Sequence, residues 1–270
     1  MSTITVTPSN RPLRPRPSVR DTLRDTFSMT GRALKLQRRT PEQFFDVTLA
    51  PVIFVLMFTY IFGGAIAGDV SAYLPIAIPG ILAQTTLQSC ATVGVQLRED
   101  MEKGVFDRFR AMPIARIAPL SGPVIASSTR YVIATLITIV MGIALGYRPG
   151  GGVVGVFAGG LLAVITGWCL SWIFTWLGTI LKSAQGVQGI GALVMFPLTF
   201  LSNALVPPST MPHWLQTFVN INPVTHVVSA MRDLMNHNAW TMNLVWSLVG
   251  CGVVVAIFVP LALWSYSRKL

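Results

Sequence analysis

Long apolar runs separated by polar segments dominate the chain. Five of these runs contain no Asp, Glu, Lys or Arg, and each has 19 residues or more. A helix needs about 20 apolar residues to cross the hydrocarbon core of a bilayer. We therefore predict five membrane-spanning helices, at residues 49–67, 73–97, 153–181, 183–206 and 243–267.

A sixth span is predicted from a less uniform stretch. Residues 131–147 carry no charge but are few, and extending the run back to Gly122 includes Arg130. An arginine is costly at the centre of a bilayer, but near a helix end its long side chain reaches the headgroups. We expect Arg130 to lie within two turns of the cytoplasmic face. An intramembrane arginine that faces a cavity stays open as the alternative.

The composition indicates that lipid covers most of this chain. Of the 270 residues, 52% are hydrophobic and 11% are charged, whereas an ordinary soluble domain carries about 25% charged residues. The net charge is +10, but most cations flank apolar runs or precede the first one, so nucleic acid is not an expected partner. With six spans and a cytoplasmic N-terminus, 18 of the 20 Lys and Arg residues lie inside. The positive-inside rule therefore predicts that both termini are cytoplasmic.

The N-terminal region has two parts of different character. Residues 1–18 are rich in Pro and Arg, which predicts a disordered tail. Residues 19–40 predict an amphipathic helix that lies on the inner leaflet, and a solvated basic tail is the alternative. Its apolar positions recur near helical spacing, at Val19, Leu23, Phe27 and Leu34.

The polar segment between the second and third spans reads REDMEKGVFDRFRAMPIARIA, residues 98–118. One apolar stripe at helical spacing predicts a cytoplasmic helix over residues 98–112 that stops at Pro113. Mixed charges beside exposed aromatic residues are typical of a surface that docks a protein partner. A helical connector packed on its own bundle remains the alternative. The stripe consists of Met101, Val105, Phe109 and Met112.

The polar segment between the fifth and sixth spans, residues 207–242, predicts two short external helices. The pair Asn222-Pro223 is a strong helix start, with a capping side chain followed by proline in the first turn. A shorter helix is expected to begin near Thr210. We expect both helices to dip into or lie on the outer leaflet, with Trp214 and Trp240 as interfacial anchors.

Motifs of known catalytic and nucleotide-binding sites do not occur in the sequence. There is no G-x-x-x-x-G-K-[ST] phosphate loop and no H-E-x-x-H pattern, and the three cysteines lie singly inside apolar runs. We assign no catalytic or metal-binding residue and expect no cofactor in this chain. Polar residues inside the spans are candidates for a substrate path, although Ser and Thr also serve ordinary helix packing. These candidates are Gln84, Gln88, Ser89, Thr92 and Asn203.

Four stretches of the sequence resemble type-2 ABC transporter permeases, in particular the daunorubicin/doxorubicin-resistance (DrrB-like) group, and they occur along this chain in the same order as in that family. EDMEKGVFDRFRAMPIAR resembles the cytoplasmic coupling segment of that family. PEQFFDVTLAPVIFVLMFTYIFGGAIAG and YLPIAIPGILAQT resemble its first two spans. FLSNALVPPSTMPHWLQTFVNINPVTHVVSAMR resembles its fifth span and external helices. The likeness extends from about Pro41 to Arg232.

The resemblance implies a partner and a role for the inner segment. Such a permease forms a homodimer and binds two copies of a separate ATPase, which holds ATP and Mg²⁺. The helix at residues 98–112 would be the coupling helix, and the basic helix before residue 41 would touch the same ATPase. The positions that match the family's coupling segment are Glu99, Gly104, Phe106, Asp107, Arg108, Arg110 and Pro113.

Together these observations predict an all-α integral membrane protein whose residues 41–270 form one type-2 ABC transmembrane domain. Its expected role is the permease subunit of an ATP-driven exporter for a hydrophobic or amphiphilic compound, without enzymatic activity of its own. Its expected location is the inner (plasma) membrane of a bacterium. The alternatives are a polysaccharide or lipid exporter of the same fold, a lipid-modifying membrane enzyme and a passive channel.

Overall fold

The computed structural model describes residues 18–39, 41–111, 114–115 and 117–268. Within these ranges the regular structure is helical throughout, so the predicted all-α architecture is confirmed. The predicted tail, apart from Ser18, lies outside the described residues. In chain order the helices are α1 (Val19–Arg39), α2 (Pro41–Ala67), α3 (Val70–Glu102), α4 (Val105–Ala111), α5 (Ala118–Ala144), α6 (Gly152–Ile180), α7 (Ala184–Phe200), a 3₁₀ turn (Pro208–Thr210), α8 (His213–Ile221), α9 (Pro223–His237) and α10 (Met242–Arg268).

Five of the described helices are long and apolar enough to cross a membrane. They are α2 from Val47, α3, α5, α6 and α10. The remaining predicted span, at residues 183–206, corresponds to the shorter apolar helix α7, whose 17 residues reach about 26 Å at 1.5 Å per residue. The chain is therefore a multi-pass membrane protein with the expected number of apolar helices.

The helix α7 ends at Phe200, six residues before the end of the apolar run that predicted it. Residues 201–206 turn without forming a helix, and most of them are buried. Backbone of this kind is tolerated at membrane depth only where the protein itself satisfies its polar groups. Here the Asn222 side-chain amide donates to the carbonyls of Leu198 and Leu201, both at 2.7 Å.

The helix α3 lies at the centre of the bundle. In its most apolar stretch 72% of the residues are buried, against 28% in α2 and 11% in α10. Two neighbouring elements approach α3 so closely that only glycine fits at the points of contact. A Cβ on Gly94 would collide with the Phe174 backbone of α6. A Cβ on Gly80 would likewise collide with the Ala204 carbonyl in the turn after α7. Small residues at such crossings are what allow apolar helices to pack tightly in lipid.

The helix α5 carries Arg130 as the thirteenth of its 27 residues. The side chain is only 4% exposed, so it is enclosed by the protein and does not reach out to lipid headgroups. The expectation that this side chain snorkels to the headgroups is therefore wrong, whereas its distance from the cytoplasmic face stays a prediction. Enclosure within the bundle is the arrangement that an ionisable group in a spanning helix adopts when it does not snorkel.

The helix α9 begins where the Asn222-Pro223 pair predicted. The Asn222 side chain accepts a hydrogen bond from the Val224 amide at 2.9 Å, and the left-handed Asn238 ends the helix. Its apolar face packs against α3, α6 and α10, so this helix caps the bundle. The buried residues on this face include Val224, Val227, Val228, Met231, Leu234 and Met235.

Candidate functional site

The inner polar segment is not one helix, so the expectation of a single helix over residues 98–112 is wrong. The helix α3 continues through Glu102, and Gly104 then adopts a φ of 70° before α4 begins at Val105. Glycine takes this left-handed conformation without the steric cost that other residues carry. We call residues 98–111, which comprise the end of α3, the turn at Gly104 and α4, the α3–α4 corner.

The aromatic face of the corner packs on the chain's own bundle. Phe106 and Phe109 are 5% and 7% exposed. The Phe106 ring centroid lies 5.5 Å from that of Phe109 and 5.6 Å from that of Tyr266 in α10. This face therefore matches the alternative expectation, in which the segment is a connector that packs on its own bundle. Phe106, one of the positions matched to the family's coupling segment, is thus turned inward.

The outward surface of the corner is polar. An ion pair lies on its tip, with the Lys103 ammonium 3.4 Å from a Glu99 carboxylate oxygen. Arg108 on α4 is exposed. Of the other matched positions, Pro113 and the side chains of Asp107 and Arg110 lie outside the described residues. The corner therefore presents charged groups outward over an aromatic base.

The helix α1 braces the corner from one side. The Arg32 guanidinium lies 3.6 Å from an Asp100 carboxylate oxygen and 5.1 Å from the centroid of the Phe109 ring. A carboxylate oxygen of Asp25 accepts a hydrogen bond from the Ala115 backbone amide at 3.0 Å, beyond the end of α4. These contacts hold both ends of the corner against α1, which itself packs along α5.

The same corner is joined to α7 on its other side. A carboxylate oxygen of Glu102 accepts hydrogen bonds from the Arg98 side chain at 3.3 Å and from the Ala184 backbone amide at 3.1 Å. Ala184 is the first residue of α7, where a negative charge is favoured by the helix dipole. The corner, which includes the end of α3, is thus joined to α1 and α7 by polar contacts and to α10 by aromatic packing.

A cavity of about 220 Å³ opens between α2, α3 and α7. Three predicted substrate-path residues, Gln88, Ser89 and Thr92, line it together. Gln188 of α7 lines the cavity as well and was not among the predicted residues, although it is a polar residue in an apolar run. The full lining is Val47, Ala50, Pro51, Phe54, Thr85, Gln88, Ser89, Ala91, Thr92, Val95 and Gln188.

The hydroxyl groups of this cavity are already used as donors. Ser89 donates to the Thr85 carbonyl at 2.8 Å, and Thr92 donates to the Ser89 carbonyl at 2.9 Å. Each of these oxygens keeps its acceptor capacity, since a hydroxyl has one proton and two lone pairs. Gln88 and Gln188 are exposed within the chain, and their amides can donate and accept.

The other two predicted substrate-path residues lie outside this lining. Gln84 is one helical turn from Gln88, is 1% exposed, and has no hydrogen-bond partner for either amide atom among the described residues. Asn203 belongs to a polar cluster below α9. Its amide donates to the Ser229 hydroxyl at 2.8 Å, and its backbone carbonyl accepts from Arg232 at 3.0 Å.

Comparison with known proteins decides the family. The model of the ABC-2 type transporter family matches residues 24–236, which include the corner and every helix that lines the cavity. The chain belongs to the ABC-2 type transporter family. This ABC-2 permease is thus a transport subunit in a membrane, as the resemblance of its sequence implied.

The relatives of this ABC-2 permease include drug-resistance permeases. It is 39% identical to the daunorubicin resistance ABC transporter permease protein DrrB1 of Streptomyces coeruleorubidus, over 94% of this chain and 90% of the relative. It is 25% identical to the probable doxorubicin resistance permease DrrC of Mycobacterium tuberculosis, over 90% of this chain and 88% of the relative. With DrrB of the same organism it shares 28% identity, over 72% of this chain and 70% of the relative. The predicted likeness to this group is confirmed.

Proposed function

We propose that this permease is the membrane-spanning subunit of an exporter driven by ATP that a separate partner hydrolyses. Two copies of the permease and two copies of an ABC ATPase form the complex, and ATP with Mg²⁺ binds in the partner. The exported compound is hydrophobic or amphiphilic. Family membership implies an ABC ATPase as partner, and the names of the relatives support drug export.

The observation that carries the proposal is the construction of the α3–α4 corner. Its charged outward surface, with Glu99, Lys103 and Arg108, suits a protein partner, since charge complementarity guides docking. Its aromatic base and its links to α1 and α7 transmit a push from that partner into the bundle. Movement of packed helices between discrete arrangements is a recurrent mechanism of switching.

The second copy is proposed to cover the apolar faces that flank the cavity. On α2 these faces expose Ile53 and Met57, and on α7 they expose Leu193, Phe196 and Phe200. The rings of Phe196 and Phe200 stack with centroids 4.3 Å apart. A dimer that joins these faces places two cavities beside one another, where an amphiphile can enter from the membrane.

The test is ATP-driven uptake of a hydrophobic dye into inside-out vesicles that contain the permease and its ATPase. We expect Arg108→Glu to lower uptake by about tenfold or more, because a reversed charge opposes docking of the partner. The control is Arg148→Glu, the same reversal at an exposed arginine between α5 and α6, and it should transport normally.

A second pair of variants tests the turn of the corner. Gly104→Pro forbids the positive φ and should abolish transport, whereas Gly104→Asn, which tolerates that conformation, should retain most of it. Normal transport in both Arg108→Glu and Gly104→Pro contradicts the coupling role. Dye movement without ATP or ATPase supports the passive channel, and chemical change of the lipids supports the membrane enzyme.

A further inference from the structure

The helix α1 has an outward surface that combines apolar and basic side chains. Its opposite side packs on α5, where the Thr26 and Ser121 hydroxyls lie 3.3 Å apart. Away from α5, the helix exposes Leu23, Phe27 and Leu36. Large apolar side chains left together at a surface mark a contact with lipid or with another protein. The charges and the location of α1 distinguish between these two partners.

The charges of α1 are predominantly basic. The helix contains six Lys and Arg residues against two Asp, and both carboxylates contact the chain itself. Asp21 accepts hydrogen bonds from Ser18 at the start of the helix, and Asp25 accepts one from Ala115. A basic surface attracts anionic headgroups, and apolar side chains beside the cations suit the acyl chains of the same lipids. The six cations are all exposed, and they are Arg20, Arg24, Arg32, Lys35, Arg38 and Arg39.

The end of α1 lies close to the hydrocarbon of the membrane. One residue separates Arg39 from α2, and the membrane-spanning part of α2 begins at Val47. From Pro41 to Val47 the helix rises about 9 Å, and the headgroup layer is about 5–8 Å deep on each side of a bilayer. The end of α1 is therefore level with lipid headgroups. The leaflet is the one on the side of the corner, which the charge distribution predicts to be the inner leaflet.

A cleft of about 700 Å³ runs along this part of α1. Its volume is within the usual range of about 300–1,000 Å³ for sites of small ligands. Lys35 and Arg39 are one helical turn apart, so their charges lie on the same side of the helix. Among the described residues, a Cβ on Gly31 would meet nothing within 4 Å, so the turn before Lys35 leaves open space. The lining includes three cations and two large apolar side chains, namely Arg32, Lys35, Arg39, Phe27 and Leu36.

Arg32 joins this cleft to the α3–α4 corner. Its guanidinium pairs with Asp100 and lies over the ring of Phe109, and it also lines the cleft. A guanidinium has five N–H donors, so Arg32 can hold Asp100 and a phosphate oxygen together. A lipid in the cleft is thus in contact with the residue that holds α1 against the corner.

We propose that this cleft binds the phosphate of an anionic phospholipid, with Lys35 and Arg39 as its principal cations and with Phe27 and Leu36 against its acyl chains. Zwitterionic lipids bind more weakly, because their own ammonium group opposes the same cations. The bound lipid holds α1 at the leaflet beside the corner. This inference goes beyond the proposed function, since a lipid site on α1 requires neither ATP nor an exported compound.

The test is equilibrium binding of phosphatidylglycerol to the purified, detergent-solubilised full-length permease. Phosphatidylcholine with the same acyl chains is the zwitterionic comparison. Native mass spectrometry measures the dissociation constant of each lipid without any ATPase. We expect phosphatidylglycerol to bind more tightly by about tenfold, the effect of one or two charge contacts near a membrane surface. Added salt should reduce this preference.

Paired variants assign the preference to the cleft. Lys35→Gln together with Arg39→Gln should reduce the preference by about tenfold, to near equality of the two lipids. Arg20→Gln together with Arg24→Gln is the matched control, because it removes the same charge at the same spacing from a part of α1 outside the described lining. The control should retain the preference. Unchanged binding of phosphatidylcholine shows that both double variants are folded.

Equal binding of the two lipids by the unaltered permease would overturn the proposal, as would a preference that the changes at Lys35 and Arg39 leave intact. Equal losses in the two double variants would mean diffuse attraction to the whole helix and no site in the cleft. Two competitors test other occupants. Displacement of phosphatidylglycerol by an equal concentration of glycerol 3-phosphate would assign the cleft to a soluble phosphate compound, and displacement by the purified ATPase would assign it to the partner protein. Either result would overturn the lipid assignment.

Discussion

The α3–α4 corner and the α2–α3–α7 cavity share one helix, yet they use polar residues in opposite ways. In the corner, the carboxylates of Glu99, Asp100 and Glu102 each have a partner within the chain. In the cavity, Gln88 of α3 and Gln188 of α7 both line an opening, and the described part of its lining carries no ionisable group. Polar groups that are paired within the chain hold elements together, whereas polar groups left toward an opening are available to a ligand.

The largest expected change in the free energy of unfolding comes from a comparison of two phenylalanines, one in the corner and one in the cavity. Phe106→Ala should lower the free energy of unfolding by about 3 kcal/mol or more, because it leaves a cavity in the aromatic base of the corner. Phe54→Ala should cost only about 1 kcal/mol, since Phe54 is partly exposed and already borders open space. Unfolding by a denaturing detergent in mixed micelles measures both. Equal losses would erase the distinction between a packed corner and an open cavity.

The next comparison is between Asp25 and Gln84, whose substitution should change the free energy of unfolding by smaller amounts and in opposite directions. Asp25→Ala removes the acceptor of the Ala115 amide and should destabilise the permease by about 1–2 kcal/mol. Gln84→Met keeps the length of the side chain and removes a buried amide without a described partner, so it should stabilise the permease by about 1 kcal/mol.

Unfolding in mixed micelles also measures whether each of these variants raises or lowers the free energy of unfolding. Asp25→Asn, which keeps an acceptor oxygen, is the control and should cost less than Asp25→Ala. Destabilisation by Gln84→Met would mean that the amide is satisfied in the folded protein.

The smallest expected effect concerns the ion pair between α1 and the corner. The side chains of Arg32 and Asp100 are 42% and 23% exposed, so solvent screens their attraction. A double-mutant cycle with Arg32→Ala and Asp100→Ala should give a coupling free energy below about 1 kcal/mol, and added salt should reduce it. A coupling of several kcal/mol would show instead that this pair is a principal fastening of the corner.

Much of the fold could be predicted from local patterns. Apolar runs without charge located the helices α2, α3, α6, α7 and α10, and the Asn222-Pro223 pair located the start of α9. The break at Gly104 was missed because the apolar stripe continues through it in the sequence. The stripe predicted a continuous helix, but burial of Phe106 and Phe109 against α10 and the rest of the bundle favours a turn there, and glycine permits it.

The candidate site could be predicted only in part. Choosing polar residues inside apolar runs found Gln88, Ser89 and Thr92, which do line one cavity. The same rule chose Asn203, which the structure places in a different polar cluster, and it passed over Gln188. A polar residue in a span is an ambiguous signal, because pairing with a neighbouring helix and lining a cavity require the same residue types.

The number of apolar helices, the all-α architecture and the family follow from the sequence alone, because lipid constrains each helix separately through its length and polarity. The charge distribution likewise predicts the cytoplasmic location of both ends. Only the tertiary structure decided that Arg130 is enclosed, that α1 braces the corner through Arg32, and that Gln188 lines the same cavity as Gln88, 100 positions earlier in the chain. These relations depend on which faces of distant helices meet, and small residues such as Gly80 and Gly94 set those faces through close packing.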